Sequence, residues 1–318
     1  MKILLIGAGA VGIGLATSVA SQGAEVSIFA REKTAKAIRE NGIERCGLFD
    51  HYKIKDVPVY ERYEDIAKNT FDYIFIASKT TANMEIAEKL NSHKDIMKDT
   101  AKIIIFQNGF GNDEEYLKYF TKDRVFSARV ITGFIRPERH ISEVTVYTEP
   151  LLLGSLQHEN PNCLKEIADM ITASGIECKL TNEVDRYLWA KMLYNCALNP
   201  LGAILDVNYG KLTENEYSKE IMNRILDEIF EVIKASGHST LWNTPKEYKD
   251  IFYSKLIPDT YEHYSSTHQD IKRKIKTEID SLNGKVIRIG EENNVDVSTN
   301  KIIYNIIKSI ESDFSLPI

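Results

Sequence analysis

Lys191, Asn195 and Asn199 recur every four residues in a stretch that reads helical. One helix face therefore carries an ammonium and then two carboxamides, each step rising about 6 Å. The row interrupts an apolar run of Leu188, Trp189, Met192, Leu193, Ala197 and Leu198. Such a stripe can be the solvent face of a half-buried helix or a row of donors facing a ligand, and periodicity does not choose between them. Pro200 follows at once and removes the N–H that would bond back to Cys196, which predicts a kink beside the amides. An ammonium, charged at neutral pH, can both deliver a proton and stabilise growing negative charge. Carboxamides offer donors to a carboxylate without competing as acids.

A second constellation lies at the N-terminus. Gly7, Ala8, Gly9, Ala10, Val11 and Gly12 form G-x-G-x-x-G directly after the apolar residues 3–6. This is the strand–turn–helix context of a dinucleotide site. The first glycine permits the turn, the second lets backbone approach a pyrophosphate, and the third lets helix pack on strand. Free N–H groups at the helix start then face the phosphates. Residues 25–29 read as the next strand, whose end commonly carries an acid for a ribose hydroxyl. Here the chain reads Ala30-Arg31-Glu32. The Arg31 guanidinium suits a 2′-phosphate, favouring NADP (NADPH), whereas Glu32 one residue on is the residue that would suit NAD.

These residues need elements to position them. Strand-like segments at 71–77, 102–106 and 124–132 alternate with a helical one at 82–90, and Asn112 is placed to cap the next helix. That rhythm predicts an α/β, Rossmann-type doubly wound sheet. Residues 143–153 suggest an antiparallel extension, and 162–174 a helix. From Asn182, read as a helix cap, nearly everything is helical. Apolar residues recur at helical spacing over 215–235, Asp259-x-x-Glu262 resembles a capping box, and 299–312 is amphipathic. The expected organisation is a nucleotide-binding domain over 1–182 followed by an all-α domain over 183–318.

The 318 residues, 43% hydrophobic and 27% charged, suit a two-domain globular protein. A net charge of −6 without a long basic block argues against nucleic acid as a partner. Cys46, Cys163, Cys178 and Cys196 lack metal or redox spacing, and the seven histidines form no ligand-like cluster, so no metal is expected. The first strand starts at Lys2 and no 18-residue apolar stretch occurs, which leads to the expectation of a cytoplasmic protein without a membrane partner.

The segment Lys191-Met-Leu-Tyr-Asn-Cys-Ala-Leu-Asn-Pro-Leu-Gly-Ala203 resembles the K-x-x-x-N-x-x-x-N-P-L-x-A motif of the ketopantoate reductase family. Further landmarks follow in family order. Lys79 comes after the 71–77 strand, Asn108 opens the N-G-x-G turn Asn108-Gly109-Phe110-Gly111, and Ser265-Ser266 precedes Glu278. The resemblance implies NADPH-dependent reduction of the 2-keto acid ketopantoate, a step towards pantothenate, and it admits a homodimer. It implies Lys191 as general acid and Glu278 at the substrate hydroxyl or the cofactor amide region. Asn195, Asn199 and Ser266 would bind substrate, while Lys79 and Asn108 would line the cofactor. A related reductase of another 2-keto acid and a non-catalytic NADP-binding sensor are the competing readings.

Twelve residues separate Ser266 from Glu278, about 18 Å along a straight helix. Both cannot serve one small keto acid from an unbroken helix. The helix expected from Asp259 should therefore break within 272–276, with Thr277 starting a new one. The sequence departs from the family pattern at Tyr209, before Gly210, and at His263. Arg129 and Arg136 could bind a carboxylate of a larger or dianionic substrate, but surface ion pairs are the favoured expectation because exposed arginines are common.

Overall fold

The apolar N-terminal run becomes strand β1, Lys2–Ile6, with its last four residues buried. Residues 1–315 are described by the computed structural model, and they divide into two units. Met1–Gln107 and Asn112–Val184 make the first; Asn108–Gly111 and the chain from Asp185 make the second. Among the described residues, no helix is long and apolar enough to cross a membrane.

Every strand of the described residues lies in the first unit. They are β1, β2 (Glu25–Phe29), β3 (Ile43–Gly47), β4 (Tyr52–Ile54), β5 (Val59–Tyr60), β6 (Phe71–Ile76), β7 (Met97–Ile105), β8 (Val125–Arg129), β9 (Gly133–Ile135), β10 (Ile141–Val146), β11 (Leu151–Gly154) and β12 (Cys178–Leu180). The main sheet runs β12-β11-β8-β7-β6-β1-β2-β5. Its pairs from β5 to β8 are all parallel, and β11 joins β8 antiparallel. Residues 3–6 of β1, 74–76 of β6 and 103–105 of β7 are consecutively buried, hence covered on both faces, as a doubly wound sheet requires. Helices α1 (Ala10–Ser21), α2 (Glu32–Asn41), α3 (Asn83–Ser92), α4 (Glu114–Leu117) and α5 (Lys165–Ala173) complete the unit.

A second sheet, β4-β3-β10-β9, covers α1. Residues 12–19 of that helix are consequently buried without a break. Ser142 on β10 donates to the carbonyl of Ala10 at 2.7 Å, and a Cβ on Gly14 would meet the Phe134 ring at 2.6 Å. Buried Arg45 on β3 donates to the Ser18 hydroxyl of α1. The 143–153 extension is therefore two things: β10 belongs to this covering sheet, and only β11 continues the main one.

The regular elements of the second unit, among its described residues, are all helical. It holds α6 (Val184–Leu205), α7 (Tyr209–Thr213), α8 (Glu216–Ala235), α9 (Pro245–Ile251), α10 (Ser266–Lys272), α11 (Asn283–Glu292) and α12 (Ser298–Ser312). α6 runs through Pro200. The proline leaves the Cys196 carbonyl without its helical donor, and buried Asn283 supplies one from Nδ2 at 3.2 Å. Asn283 also donates to Asn300, which in turn donates to Glu228.

Several sequence expectations need correction. Asp113, not Asn112, stands at the head of α4. α6 begins at Val184, so Asn182 is outside it, and the Thr181 hydroxyl accepts from the Glu183 N–H. No helix grows from the Asp259 box. Residues 258–260 make a single 3₁₀ turn, and the next carbonyls are taken by another segment: Tyr209 N–H donates to His263 O and Gly210 N–H to Tyr261 O. The helix starts instead at Ser266, with the Ser265 hydroxyl accepting from His268 N–H at 3.0 Å. It does end within the expected 272–276, at Lys272, and Lys274 takes the left-handed conformation that closes a helix (φ 54°). No helix starts at Thr277, however: a single 3₁₀ turn, Ile279–Ser281, follows it and α11 begins only at Asn283. Arg129 is no surface residue: it is 2% exposed and pairs with Glu149 at 2.8 Å. Arg136 is half-buried and donates to Thr34 and to the carbonyl of Arg139.

Candidate active site

In the first unit the glycine turn lies where the sheet order reverses, between β1 and β6. At such a switch point the loops after neighbouring strands diverge to opposite faces and leave a crevice. Gly7 has φ +104°, and a Cβ there would come within 2.1 Å of the Ser78 nitrogen. A Cβ on Gly12 would meet the Gly7 carbonyl oxygen at 2.2 Å. Packing within the fold thus demands both. Gly9 is different: its φ of −82° is ordinary, and a Cβ there would find its nearest neighbour, the Ala77 oxygen, at 3.9 Å. The fold itself has no use for a glycine here, so the open space fits a group approaching from outside. No side chain caps α1 and no acid stands in its first turn, which leaves the helix's positive end free for phosphate. Ala8, Ala10 and Val11 complete this turn. Lys79 is half-buried in the loop after β6, beside the Ser78 backbone that Gly7 touches. Arg31 is exposed at the head of α2, directly beyond β2. These residues fit a dinucleotide.

In the second unit, three residues far apart in sequence converge. Lys191 Nζ donates to Asn108 Oδ1 at 2.7 Å, and Asn108 Nδ2 donates to Glu278 Oε2 at 3.4 Å. Lys191 and Asn108 are half-buried; Glu278 is 8% exposed. One short turn, Ile279–Ser281, helps build this arrangement from both sides. Glu278 stands at its head, and the Ser281 carbonyl accepts from the Phe110 N–H at 3.2 Å. Upstream, Thr277 donates from its N–H and hydroxyl to Glu311 and accepts from the Ile279 N–H. Gly109 has φ +95°, and a Cβ there would strike the Ser281 oxygen at 2.4 Å. The Phe110 ring packs on Trp189 and His238, with centroids at 4.8 and 5.1 Å. The loop 108–111 is thereby anchored on helical-unit residues. Sequence alone does not single out Phe110 or Ser281; the aromatic residue inside the glycine turn is the one signal that points to them.

The rest of the stripe on α6 is buried, with Asn195 at 8% and Asn199 at 5% exposure. The solvent-face alternative for these two amides is therefore wrong. Tyr209 donates its hydroxyl hydrogen to Asn199 Oδ1 at 2.6 Å, and Ser265 Oγ donates to the Asn199 carbonyl at 3.0 Å. It is Ser265 that reaches this amide residue; Ser266 opens α10 with its side chain exposed. The lysine, Asn108 and Glu278 form one polar group, the two amides continue along the same helix, and Ser266 makes no hydrogen bond to either amide.

Two family models cover the chain: ketopantoate reductase PanE/ApbA over residues 3–157, and its C-terminal counterpart over 183–311. The chain belongs to the ketopantoate reductase family, a class of oxidoreductases that use a nicotinamide cofactor. Among curated relatives, the 2-dehydropantoate 2-reductase of Aquifex aeolicus is 35% identical, the alignment covering 98% of this chain and 97% of the relative. That of Pyrococcus horikoshii is 30% identical over 98% of each. A PanE/ApbA family ketopantoate reductase from Ralstonia eutropha superposes with a TM-score of 0.86 at 25% identity, covering 99% of this chain and all of that one (100%). A D-mandelate dehydrogenase with NADH and anilino(oxo)acetate shares the fold, with a TM-score of 0.86 at 21% identity over 99% and 100% of the two chains.

Proposed function

We propose that this protein reduces 2-dehydropantoate (ketopantoate) to pantoate with NADPH, and that Lys191 is the general acid. The observation that carries this reading is the contact of Lys191 Nζ with Asn108, itself bonded to Glu278, on a helix that continues with two buried amides. A partly buried ammonium held by a neutral acceptor keeps protons to give while its direction is fixed.

In this reading residues 1–182 bind the nucleotide and 183–318 bind substrate and carry out the proton transfer. Gly7 to Gly12 receive the pyrophosphate at the head of α1, Arg31 pairs with the 2′-phosphate, and Lys79 and Asn108 line the cofactor. When bound, NADPH supplies the hydride. Lys191 gives a proton to the substrate's keto oxygen as charge grows on it, so the charge is neutralised as it forms. Asn108 accepts from the Lys191 ammonium and so limits where its protons can point. Glu278 accepts from Asn108 and contacts the hydroxyl of the substrate. Asn195 and Asn199 offer amide donors to the substrate, and Ser266 offers its hydroxyl to the carboxylate.

The test is the loss of NADPH absorbance with purified protein and a panel of ketopantoate, pyruvate, 2-ketoisovalerate and oxaloacetate. Ketopantoate should exceed the others by a wide margin in kcat/KM. Equal use of another keto acid would move the assignment to that substrate. NADPH binding without oxidation by any of them would make the protein a sensor.

A further inference from the structure

We propose that Tyr209 is a positioning residue for substrate binding: its hydroxyl occupies the carbonyl oxygen of the Asn199 amide and so commits that side chain to act as a hydrogen-bond donor. The inference rests on the reading of Asn199 as a substrate contact. It concerns a residue at which this chain departs from the family pattern.

A carboxamide is ambiguous, since either end can face a ligand. Here the ambiguity is removed on one side. The Tyr209 hydroxyl donates to Asn199 Oδ1 at 2.6 Å, so the NH2 group is left on the other edge of the amide plane. Among the described residues that NH2 has no hydrogen-bond partner, and neither has the side chain of Asn195 one turn before it. Neither amide group is sealed in the core, so their donors remain reachable. Two buried residues with open donors suit an acceptor-rich ligand, such as a carboxylate or the oxygen of a keto acid.

The tyrosine is itself held firmly. It is 3% exposed, its ring meets Tyr194 edge-on at 5.6 Å and lies 5.1 Å from the His263 ring, and its N–H donates to the His263 carbonyl. Asn208 caps its short helix by accepting from Lys211 N–H at 3.0 Å. At the next residue only glycine fits, because the Tyr261 ring occupies the place of a Cβ. Burial pushes the phenol far above its usual range, so it remains a donor throughout the working pH range. Ser265 fixes the Asn199 backbone from the other side. Of the two departures noted in the sequence, Tyr209 thus holds Asn199 and His263 packs against Tyr209.

The experiment compares Tyr209→Phe, Asn199→Ala, Asn199→Asp and the double variant Tyr209→Phe/Asn199→Ala in the ketopantoate assay. Tyr209→Phe keeps the ring and removes only the hydroxyl. It should raise KM for ketopantoate about tenfold, leave kcat within a factor of about three, and leave NADPH affinity unchanged. The double variant should be no worse than Asn199→Ala, since the hydroxyl acts only through the amide. Asn199→Asp keeps an acceptor for Tyr209 but loses the NH2, and should raise KM at least as much as Asn199→Ala. An unchanged KM in Tyr209→Phe, or additive effects in the double variant, overturns the role of Tyr209 while leaving the substrate reading intact. An unchanged KM in Asn199→Ala removes Asn199 from the substrate site and the inference with it. Were Tyr209→Phe not to fold, wild-type KM in Asn199→Asp would still overturn the donor assignment.

Discussion

The glycine turn of the first unit and the lysine cluster of the second are built on opposite plans. The turn is made of backbone: its specificity lies in what is missing at Gly7, Gly9 and Gly12 and in the uncapped start of α1. The cluster is made of side chains that arrive from three places, Asn108, Lys191 and Glu278, each fixed by its own local structure. A backbone site is written in consecutive residues and admits almost no substitution. A side-chain site is written in scattered residues, and each can be altered separately.

That contrast predicts different responses to mutation. The largest effect on nucleotide affinity is expected at Gly9. Gly9→Ala adds a methyl group where the protein has room, so thermal stability should be unchanged while NADPH affinity falls by roughly 100-fold or more. Calorimetric titration and a melting curve measure the two; unchanged affinity would mean the turn holds no pyrophosphate. Next is Arg31→Ala, expected to weaken NADPH by about 10- to 100-fold and NADH very little, since only NADPH offers a second phosphate to the guanidinium. Equal losses would point to Glu32 and NAD. In the second unit, Asn283→Ala should cost about 1–3 kcal/mol of stability by orphaning the Cys196 carbonyl that Pro200 exposes. Denaturant unfolding reads this directly, and a neutral result would mean that α6 satisfies the carbonyl in another way.

The same contrast explains what can be read in the sequence. The strand residues 25–29, the glycine turn and the doubly wound order follow from local pattern, because each depends on neighbours a few residues away. The covering sheet on α1 is not legible in this way: its strands β3, β4, β9 and β10 are short and come from separate parts of the chain, and only pairing makes them strands. Asp259 and Glu262 have the spacing of a capping box, yet residues 261 and 263 give their carbonyls to Tyr209 and Gly210, a contact no local rule contains. The break after Lys272, by contrast, is legible once the resemblance assigns Ser266 and Glu278 to one small substrate, because a straight helix would hold them about 18 Å apart. Lys191, Asn195 and Asn199 are visible as a stripe, and only burial distinguishes the two amides from a wet surface. Asn108 draws notice through resemblance, while its bond to Lys191 depends on a loop held by Phe110 and Ser281.

The central claim is that the Lys191 ammonium delivers the proton in keto acid reduction. Single-turnover oxidation of bound NADPH by ketopantoate, followed in wild-type and Lys191→Ala protein with NADPH affinity measured alongside, tests it most directly. The account predicts a rate lower by roughly 10²- to 10⁴-fold with nucleotide affinity retained. A rate in Lys191→Ala within a factor of about two of wild type would contradict it.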